Sequence, residues 1–199
     1  MTIAFPTSPA PAACTPFLKD FGAVMEPFLG GPSTRINRVG TRFGVRVTMP
    51  SLRSETDGRL IVSRLLQARL DRLLMRWPGL DMEPGAPGAP VAAVATAGGS
   101  VLPISGLTAG YAVHEGQFFS LIHSGRRYLH QFTAAGVADA TGRLTATLFP
   151  PLRVGVAAGD ALEIAQPMIE GFVLPGDVLN WEMALARRVN LSFSVVEAA

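Results

Sequence analysis

The sequence predicts a mainly β protein with one amphipathic helix, which places it in the α+β class. Several stretches alternate apolar and polar residues, one longer stretch repeats its apolar residues every three or four positions, and glycine and proline recur at short intervals. The 199 residues, 48% of them hydrophobic, can bury a core in one domain or in two small ones. We expect a β-rich unit that carries the helix, and a second small antiparallel β-barrel or sandwich.

The first strands are predicted before residue 50. The chain begins with MTIAFPTSPAPAACTPF, which we expect to be an extended segment, because the residue before each proline is disfavoured in a helix. Two or three strands should follow, separated by the turn-forming GGPS at residues 30–33. Residues 41–49 alternate most clearly, so one face of that strand should carry Phe43, Val45, Val47 and Met49.

The amphipathic helix is predicted over residues 59–77. Its apolar side chains are Leu60, Ile61, Leu65, Leu66, Leu70, Leu73, Leu74 and Trp77. Ser54 or Asp57 can cap its start, and the Pro-Gly pair at residues 78–79 can end it. We expect Leu66, Leu70 and Leu73 to cover the first sheet, although such a stripe can also bind a partner helix.

A connector and a second β-rich unit follow the helix. The connector is EPGAPGAP, residues 83–90, whose glycines and prolines oppose helix and strand, so it is a candidate domain boundary. Short strands separated by turn signals are then predicted at residues 91–96, 117–122, 127–134, 144–149 and 161–166. Many short strands at this spacing indicate a small antiparallel barrel or sandwich.

The last strand is predicted near the end of the sequence, where Val189, Leu191, Phe193 and Val195 alternate with polar residues. We expect this strand to return to the N-terminal sheet, because the termini of a domain commonly lie close together. The predicted organisation is therefore a discontinuous domain of residues 1–88 plus 176–199, with a small β-domain of residues 89–175 inserted in it.

Composition argues against several classes of function. The 17 basic and 15 acidic residues give a formal net charge of only +2, and the basic residues are scattered, so no nucleic-acid surface is expected. The single cysteine, Cys14, allows no internal disulfide. No apolar run is long enough to cross a membrane, and the first residues lack the pattern of a signal peptide. We therefore expect synthesis and folding in a cytoplasm.

The stretch GQFFSLIHSGRRYLHQF, residues 116–132, is the strongest candidate for chemistry, because it holds two of the three histidines. It also has the pattern of a β-hairpin that turns at Ser124-Gly125 and exposes its polar residues. His123 and His130 would lie on opposing strands and could approach each other. A metal would need further ligands, and only His114 and Glu115 are near in sequence, without a recognisable spacing. We therefore favour the structural interpretation.

Other candidates for catalysis are no stronger. Ser124 is followed by glycine but lacks the motif of a nucleophile elbow, and Cys14 lies where no ordered base is predicted. The carboxylates that might pair for acid and base chemistry are Glu55, Asp57, Asp139, Asp160, Glu163, Glu170 and Asp177. Most of these fall in predicted turns. We predict no catalytic, cofactor-binding or metal-binding residues, and no enzyme activity.

The order of segments resembles a family of phage proteins. VRVTMP, the Leu/Arg-rich helix, PGAPVAAVATAGGSVLPISGLTAGYAVHEGQFFSL, GRRYLHQFTA, ADATGRLTATLFPPLR and LSFSVVEA together are similar to the distal tail (baseplate) proteins of long-tailed bacteriophages and prophages. The likeness extends from Phe17 to the end of the sequence. It rests on the order and character of segments, because the family has no catalytic fingerprint.

This resemblance implies a structural protein of the virion tail. It implies a β-sandwich with one helix that assembles into a homo-oligomeric ring, most simply a hexamer. This ring joins the tail tube protein to the baseplate hub protein, with the second β-domain on the outside. Alternatives are another tail protein, such as a hub or terminator, or a saccharide-binding β-module for host attachment. For the module, Tyr111, Phe118, Phe119 and Tyr128 could form a stacking platform. The resemblance implies no cofactor and no membrane insertion.

Overall fold

The computed structural model describes residues 2–79, 83–174, 181–184 and 187–198. Within these ranges the chain is mainly β with one α-helix, which confirms the predicted fold class. Most strands belong to a larger sheet or to a smaller, barrel-like sheet. Two short antiparallel pairs lie outside them: Ala23–Met25 (β3) with Thr34–Ile36 (β4), and Ala112–Val113 (β10) with Gly136–Val137 (β13).

The larger sheet takes its strands from both ends of the chain. These strands are Thr2–Ala4 (β1), Ala13–Lys19 (β2), Arg42–Thr48 (β5), Leu52–Arg53 (β6), Arg72–Arg76 (β7), Met168–Val173 (β16), Trp181–Ala184 (β17) and Arg188–Glu197 (β18). Their order is β1-β7-β16-β18-β5-β2, and β6 and β17 also pair with β18. The return of the last strand to the N-terminal sheet is therefore observed, with Phe193 opposite Val47.

The alternation predicted for β5 and β18 explains their position at the centre of this sheet. Phe43, Val45, Val47 and Met49 are all buried, and so are Val189, Leu191, Phe193 and Val195. Side chains of a strand point alternately to opposite faces, so each series covers one face. That face forms the core of the larger sheet together with the helix.

We expected the first residues to form a separate extended segment, but they belong to the larger sheet. Thr2–Ala4 pairs in parallel with β7 at one edge of the larger sheet, and Ala13–Lys19 pairs with β5 at the other edge. Ile3 and Phe5 are buried in the core. The prolines between β1 and β2 are tolerated because this segment crosses from one edge of the sheet to the other outside any strand, where no N–H is needed for strand pairing.

The predicted helix is wrong in its second half. A π-helical turn, Ser54–Gly58, leads into the α-helix Arg59–Gln67 (α1), which ends ten residues before Trp77, and neither element has a side-chain cap. Residues 72–76 are strand β7, paired with β1 and β16. Helix α1 buries Ile61 and Leu65. Leu70, which we expected to cover the sheet, is 91% exposed, and Leu66 is 47% exposed.

The smaller sheet forms a nearly closed barrel. Its strands are Gly88–Ala92 (β8), Gly99–Leu107 (β9), Phe118–His123 (β11), Arg126–Phe132 (β12), Leu144–Leu152 (β14) and Leu162–Glu163 (β15). The order is β15-β11-β12-β14-β9-β8, and a bridge between Val91 and Ala161 joins the two outer strands. The predicted strands lie close to these positions, but β9 was missed and the connector ends earlier, since β8 begins at Gly88.

Strand β16 belongs to the larger sheet, although we had placed residues 89–175 in the inserted unit. It pairs with β7 and β18, and its Ile169 and Val173 are buried in the core of the larger sheet. The barrel has its own core, which includes Leu102, Phe119 and Phe132. The chain thus forms two adjacent cores, one under the larger sheet and one inside the barrel.

Candidate functional site

The stretch that we singled out for chemistry is the predicted β-hairpin. Strands β11 and β12 pair from Phe118 opposite Gln131 to His123 opposite Arg126. The two-residue loop has positive φ at both positions, 50° at Ser124 and 73° at Gly125, as a type I′ turn requires. Glycine adopts this conformation without strain, so the sequence determined both the turn and the register.

The hairpin presents only some of its polar residues to solvent: Ser124 and Arg126 are exposed, whereas Ser120 and His130 are buried. One face carries Phe119, Leu121 and Tyr128, which are buried in the barrel core. The opposite face carries Leu129, buried in the core of the larger sheet, and the half-buried Phe118, whose ring lies 5.2 Å from that of Trp77. The near-continuous apolar run FFSLI was the sequence signal for a strand buried on both faces.

The two histidines of the hairpin do not approach each other, because they lie at opposite ends of it. His130 is 1% exposed, and its Nδ1 lies 2.8 Å from the carbonyl oxygen of Pro150. A carbonyl only accepts hydrogen bonds, so Nδ1 carries the proton. Burial, together with the nearby charge of Arg153, lowers the pKa of His130 to about 3, so the ring is neutral at ordinary pH.

His123 and His114 occupy different surroundings. His123 Nδ1 lies 2.7 Å from Oδ2 of Asp160, and the same oxygen accepts a hydrogen bond from the backbone N–H of Ala157. Asp160 therefore holds its own turn and orients the imidazole. His114 is exposed. Among the described residues no three histidine, cysteine or carboxylate side chains are grouped to hold a metal ion.

The carboxylates named from the sequence mostly have structural partners. Glu163 forms a two-pronged ion pair with Arg127, and Asp139 accepts backbone hydrogen bonds within its turn, which lower the pKa of its carboxyl. Glu55 pairs with Arg187 on the surface. Asp177 lies outside the described residues. These three carboxylates thus stabilise a turn or form ion pairs.

Cys14 and Ser124 also lack a catalytic setting. Cys14 is half-buried in β2, and desolvation raises the pKa of its thiol, which favours the protonated form. Ser124 is exposed in the hairpin turn. No described helix is long and apolar enough to cross a membrane.

A polar junction joins the hairpin to the larger sheet. We define the junction as Ser120, Glu170, Glu197 and the backbone N–H groups of Arg127 and Leu129. Glu170 Oε2 accepts from Arg127 N at 3.0 Å, and Glu197 Oε1 accepts from Leu129 N at 2.8 Å. Ser120 Oγ lies 2.8 Å from the carbonyl oxygen of Met168 and 2.6 Å from its nitrogen.

The two glutamates replace missing strand partners. Strand β12 pairs with β14 only at Gln131 and Phe132, so the N–H groups of Arg127 and Leu129 need other acceptors. Glu170 and Glu197 are 2% and 1% exposed, and each supplies one carboxylate oxygen. The sequence analysis missed this role. The signal was a glutamate inside each of the apolar strands MIEGFV and SVVE.

Arginines neutralise both buried carboxylates. Arg72 Nη1 lies 2.9 Å from Oε1 of Glu170, and Arg153 pairs with Glu197. Burial raises the pKa of Glu197, while Arg153 opposes this effect. Separating the two sheets would take the N–H donors of Arg127 and Leu129 away from these carboxylates, and Arg153 away from Glu197. Each charged group of the junction has an oppositely charged partner, although Nε of Arg153 and Oε2 of Glu197 are buried without a hydrogen bond.

The aromatic residues proposed as a saccharide platform do not form one. Phe119 and Tyr128 are buried in the barrel core, and Phe118 packs against Phe43 and Trp77. Tyr111 is partly buried, and its hydroxyl donates to the carbonyl of Pro84 at 2.7 Å. A stacking surface needs exposed ring faces, so these four residues offer none together.

The surface feature that stands out is an apolar arm, residues 20–40. It contains the short pair β3 and β4 and lies between β2 and β5. Its exposed large apolar residues are Phe21, Val24, Met25, Phe28, Leu29, Ile36 and Val39. Phe28 and Leu29 at its tip are 102% and 94% exposed. Apolar patches of this kind mark interaction sites, because a monomer gains nothing from keeping them in water.

No protein-family model matches this sequence, and no curated protein matches it either.

Proposed function

We propose that the protein is a structural component of a bacteriophage tail tip, forming a ring that joins the tail tube to the baseplate hub. The apolar arm is the observation that supports this proposal best. An isolated two-stranded hairpin is only marginally stable in water, and this one exposes large side chains from base to tip. Such an element is stable when another protein surface covers it, which is the situation of a subunit in a larger assembly.

Two further observations support an assembly role. The segments that resemble distal tail proteins run through both sheets. The junction ties the barrel to the larger sheet through the buried Glu170 and Glu197, so a force on one sheet is passed to the other. Rigid coupling of this kind suits a particle component that must keep its shape under load.

Electron microscopy of tails from the phage or prophage that encodes the chain tests the proposal. We expect a ring of this protein at the tail tip, with six-fold symmetry, and we expect deletion of its gene to yield particles without functional tails. Purified tails that lack the protein, or normal infectivity after the deletion, would contradict the proposal.

A further inference from the structure

A second apolar surface lies on the same chain, between α1 and β17. We call it the α1–β17 groove. It is lined by Val62, Leu66, Trp181, Met183 and Val189. Met183 is 74% exposed, Leu66 is 47% exposed and Trp181 is 40% exposed. Like the apolar arm, this surface exposes large apolar side chains to solvent.

The arm and the groove lie at opposite ends of the central strand β18. The groove borders the start of β18, where Val189 packs against Gly58. The arm leads into β5 at the other end, where Arg42 Nη1 donates to the carbonyl of Glu197. Eight residues of strand separate Val189 from Glu197, which corresponds to about 27 Å. The base of the arm and the groove therefore lie apart on the subunit.

We propose that the apolar arm of one copy packs into the α1–β17 groove of a second copy. This inference rests on the proposed function and names the contact that would build the ring. The arm offers Phe28 and Leu29 as anchors, and the groove offers an apolar lining on a rigid helix. Buried aromatic anchors in apolar pockets supply most of the binding energy of many interfaces.

Two observations favour a second copy of the chain as the occupant. Both halves of the contact are present in every subunit in equal number, and they do not overlap. A contact between different surfaces of identical subunits is heterologous, and it closes into a ring when the rotation between neighbours allows it. The arm does not fill the groove of its own chain, since Phe28 and Met183 are both exposed.

Charge agrees with this pairing. Glu26 lies on the exposed arm, next to Met25, and Arg59 borders the groove at the start of α1. An exposed ion pair adds little affinity, typically below about 1 kcal/mol, but opposite charges orient the approach. Glu26 is the charged residue nearest the tip of the arm, which also carries Arg35 and Arg38 farther from the tip, and Arg59 is the one charged residue among the described residues that line the groove.

Paired variants of the full-length chain test the contact. The arm variant carries Phe28→Ser and Leu29→Ser, and the groove variant carries Met183→Glu. Each should lose all species larger than the monomer in sedimentation velocity, whereas the wild-type chain forms larger species. A mixture of the two variants should restore only a 1:1 dimer, because one intact arm can meet one intact groove. Val137→Glu, in the short strand β13 at a position that is 64% exposed, is the matched control and should behave as wild type.

Cross-linking tests the same contact by position. In a Cys14→Ser background, a chain with Phe28→Cys is mixed with a chain with Met183→Cys under mild oxidation. We expect a disulfide-linked heterodimer from the mixture, in excess over either homodimer. Circular dichroism and thermal unfolding of every variant show whether the fold is retained.

The outcomes separate the contact from the function. Rings that persist in the arm or the groove variant overturn the proposed contact and leave the ring function standing. If the groove variant forms oligomers and the arm variant stays monomeric, the proposed contact is wrong, and the arms bind each other or another surface. A wild-type chain that stays monomeric and gives no heterodimer also overturns the contact, and the tail microscopy then decides the function separately.

Discussion

Burial of His130 predicts that the protein loses stability in mild acid. The folded chain keeps this imidazole neutral down to a pKa of about 3, whereas the unfolded chain takes up the proton near 6.5. Between these values the unfolded state binds more protons, so the free energy of unfolding falls as the pH falls. At about pH 4.5, two units below the unfolded pKa, this one group removes about 3 kcal/mol relative to neutral pH.

The substitution His130→Asn isolates this contribution. Asparagine can still donate to the carbonyl of Pro150, but it does not titrate. It also loses the ring that stacks on Phe119 at 5.8 Å, so we expect the variant to be less stable than wild type at pH 7.5. At pH 4.5 the difference between the two chains should shrink by about 3 kcal/mol, because only the wild type carries the buried histidine.

Urea denaturation at both pH values, followed by tryptophan fluorescence, measures the two free energies of unfolding. The other titrating groups are common to both chains and cancel in the comparison. A difference between wild type and variant that is the same at pH 7.5 and 4.5 would refute the reasoning, since it would mean that His130 titrates alike in the folded and unfolded states.

Three further predictions concern stability and are measured by chemical denaturation. Leu65→Ala should lower the free energy of unfolding by about 2–5 kcal/mol because Leu65 is fully buried. Leu70→Ala should change it by no more than about 0.5 kcal/mol because Leu70 is 91% exposed. Equal losses for the two variants would contradict the placement of α1. Glu197→Ala should cost about 3–5 kcal/mol, since it leaves Arg153 buried without its partner, and a cost below 1 kcal/mol would show that the junction is solvated. Gly125→Val should cost about 1–3 kcal/mol through its positive φ alone, because open space surrounds the position, and an unchanged midpoint would argue against the turn.

The sequence analysis succeeded where a single local pattern determined the structure. The hairpin turn required positive φ, which Gly125 allows, and β5 and β18 alternate because one of their faces is buried. It failed over residues 72–76, where two periods coexist. Leu73 and Trp77 continue a helical stripe with Leu66 and Leu70. Leu73, Met75 and Trp77 also alternate as a strand requires. Pairing with β1 and β16, which lie far away in sequence, selected the strand.

The junction could not be predicted for a related reason. Local sequence shows that Glu170 and Glu197 interrupt apolar strands, but not which backbone groups they face. Their acceptor role arises only because β12 runs out of strand partners at Arg127 and Leu129, which is a property of the assembled sheets. The burial of His130 was not predicted for the same reason. It depends on both sides of the hairpin being covered, which local sequence does not show.

The doubly buried hairpin limits how this protein can be divided. A barrel excised near residues 88 and 163 would keep its own core but expose Leu129 and strip Arg127 and Leu129 of their carboxylate acceptors. A graft of a foreign barrel onto the larger sheet would likewise leave Glu170 and Glu197 without their donors. The two parts are therefore not interchangeable modules, and a successful chimaera must carry the hairpin and the two glutamates together.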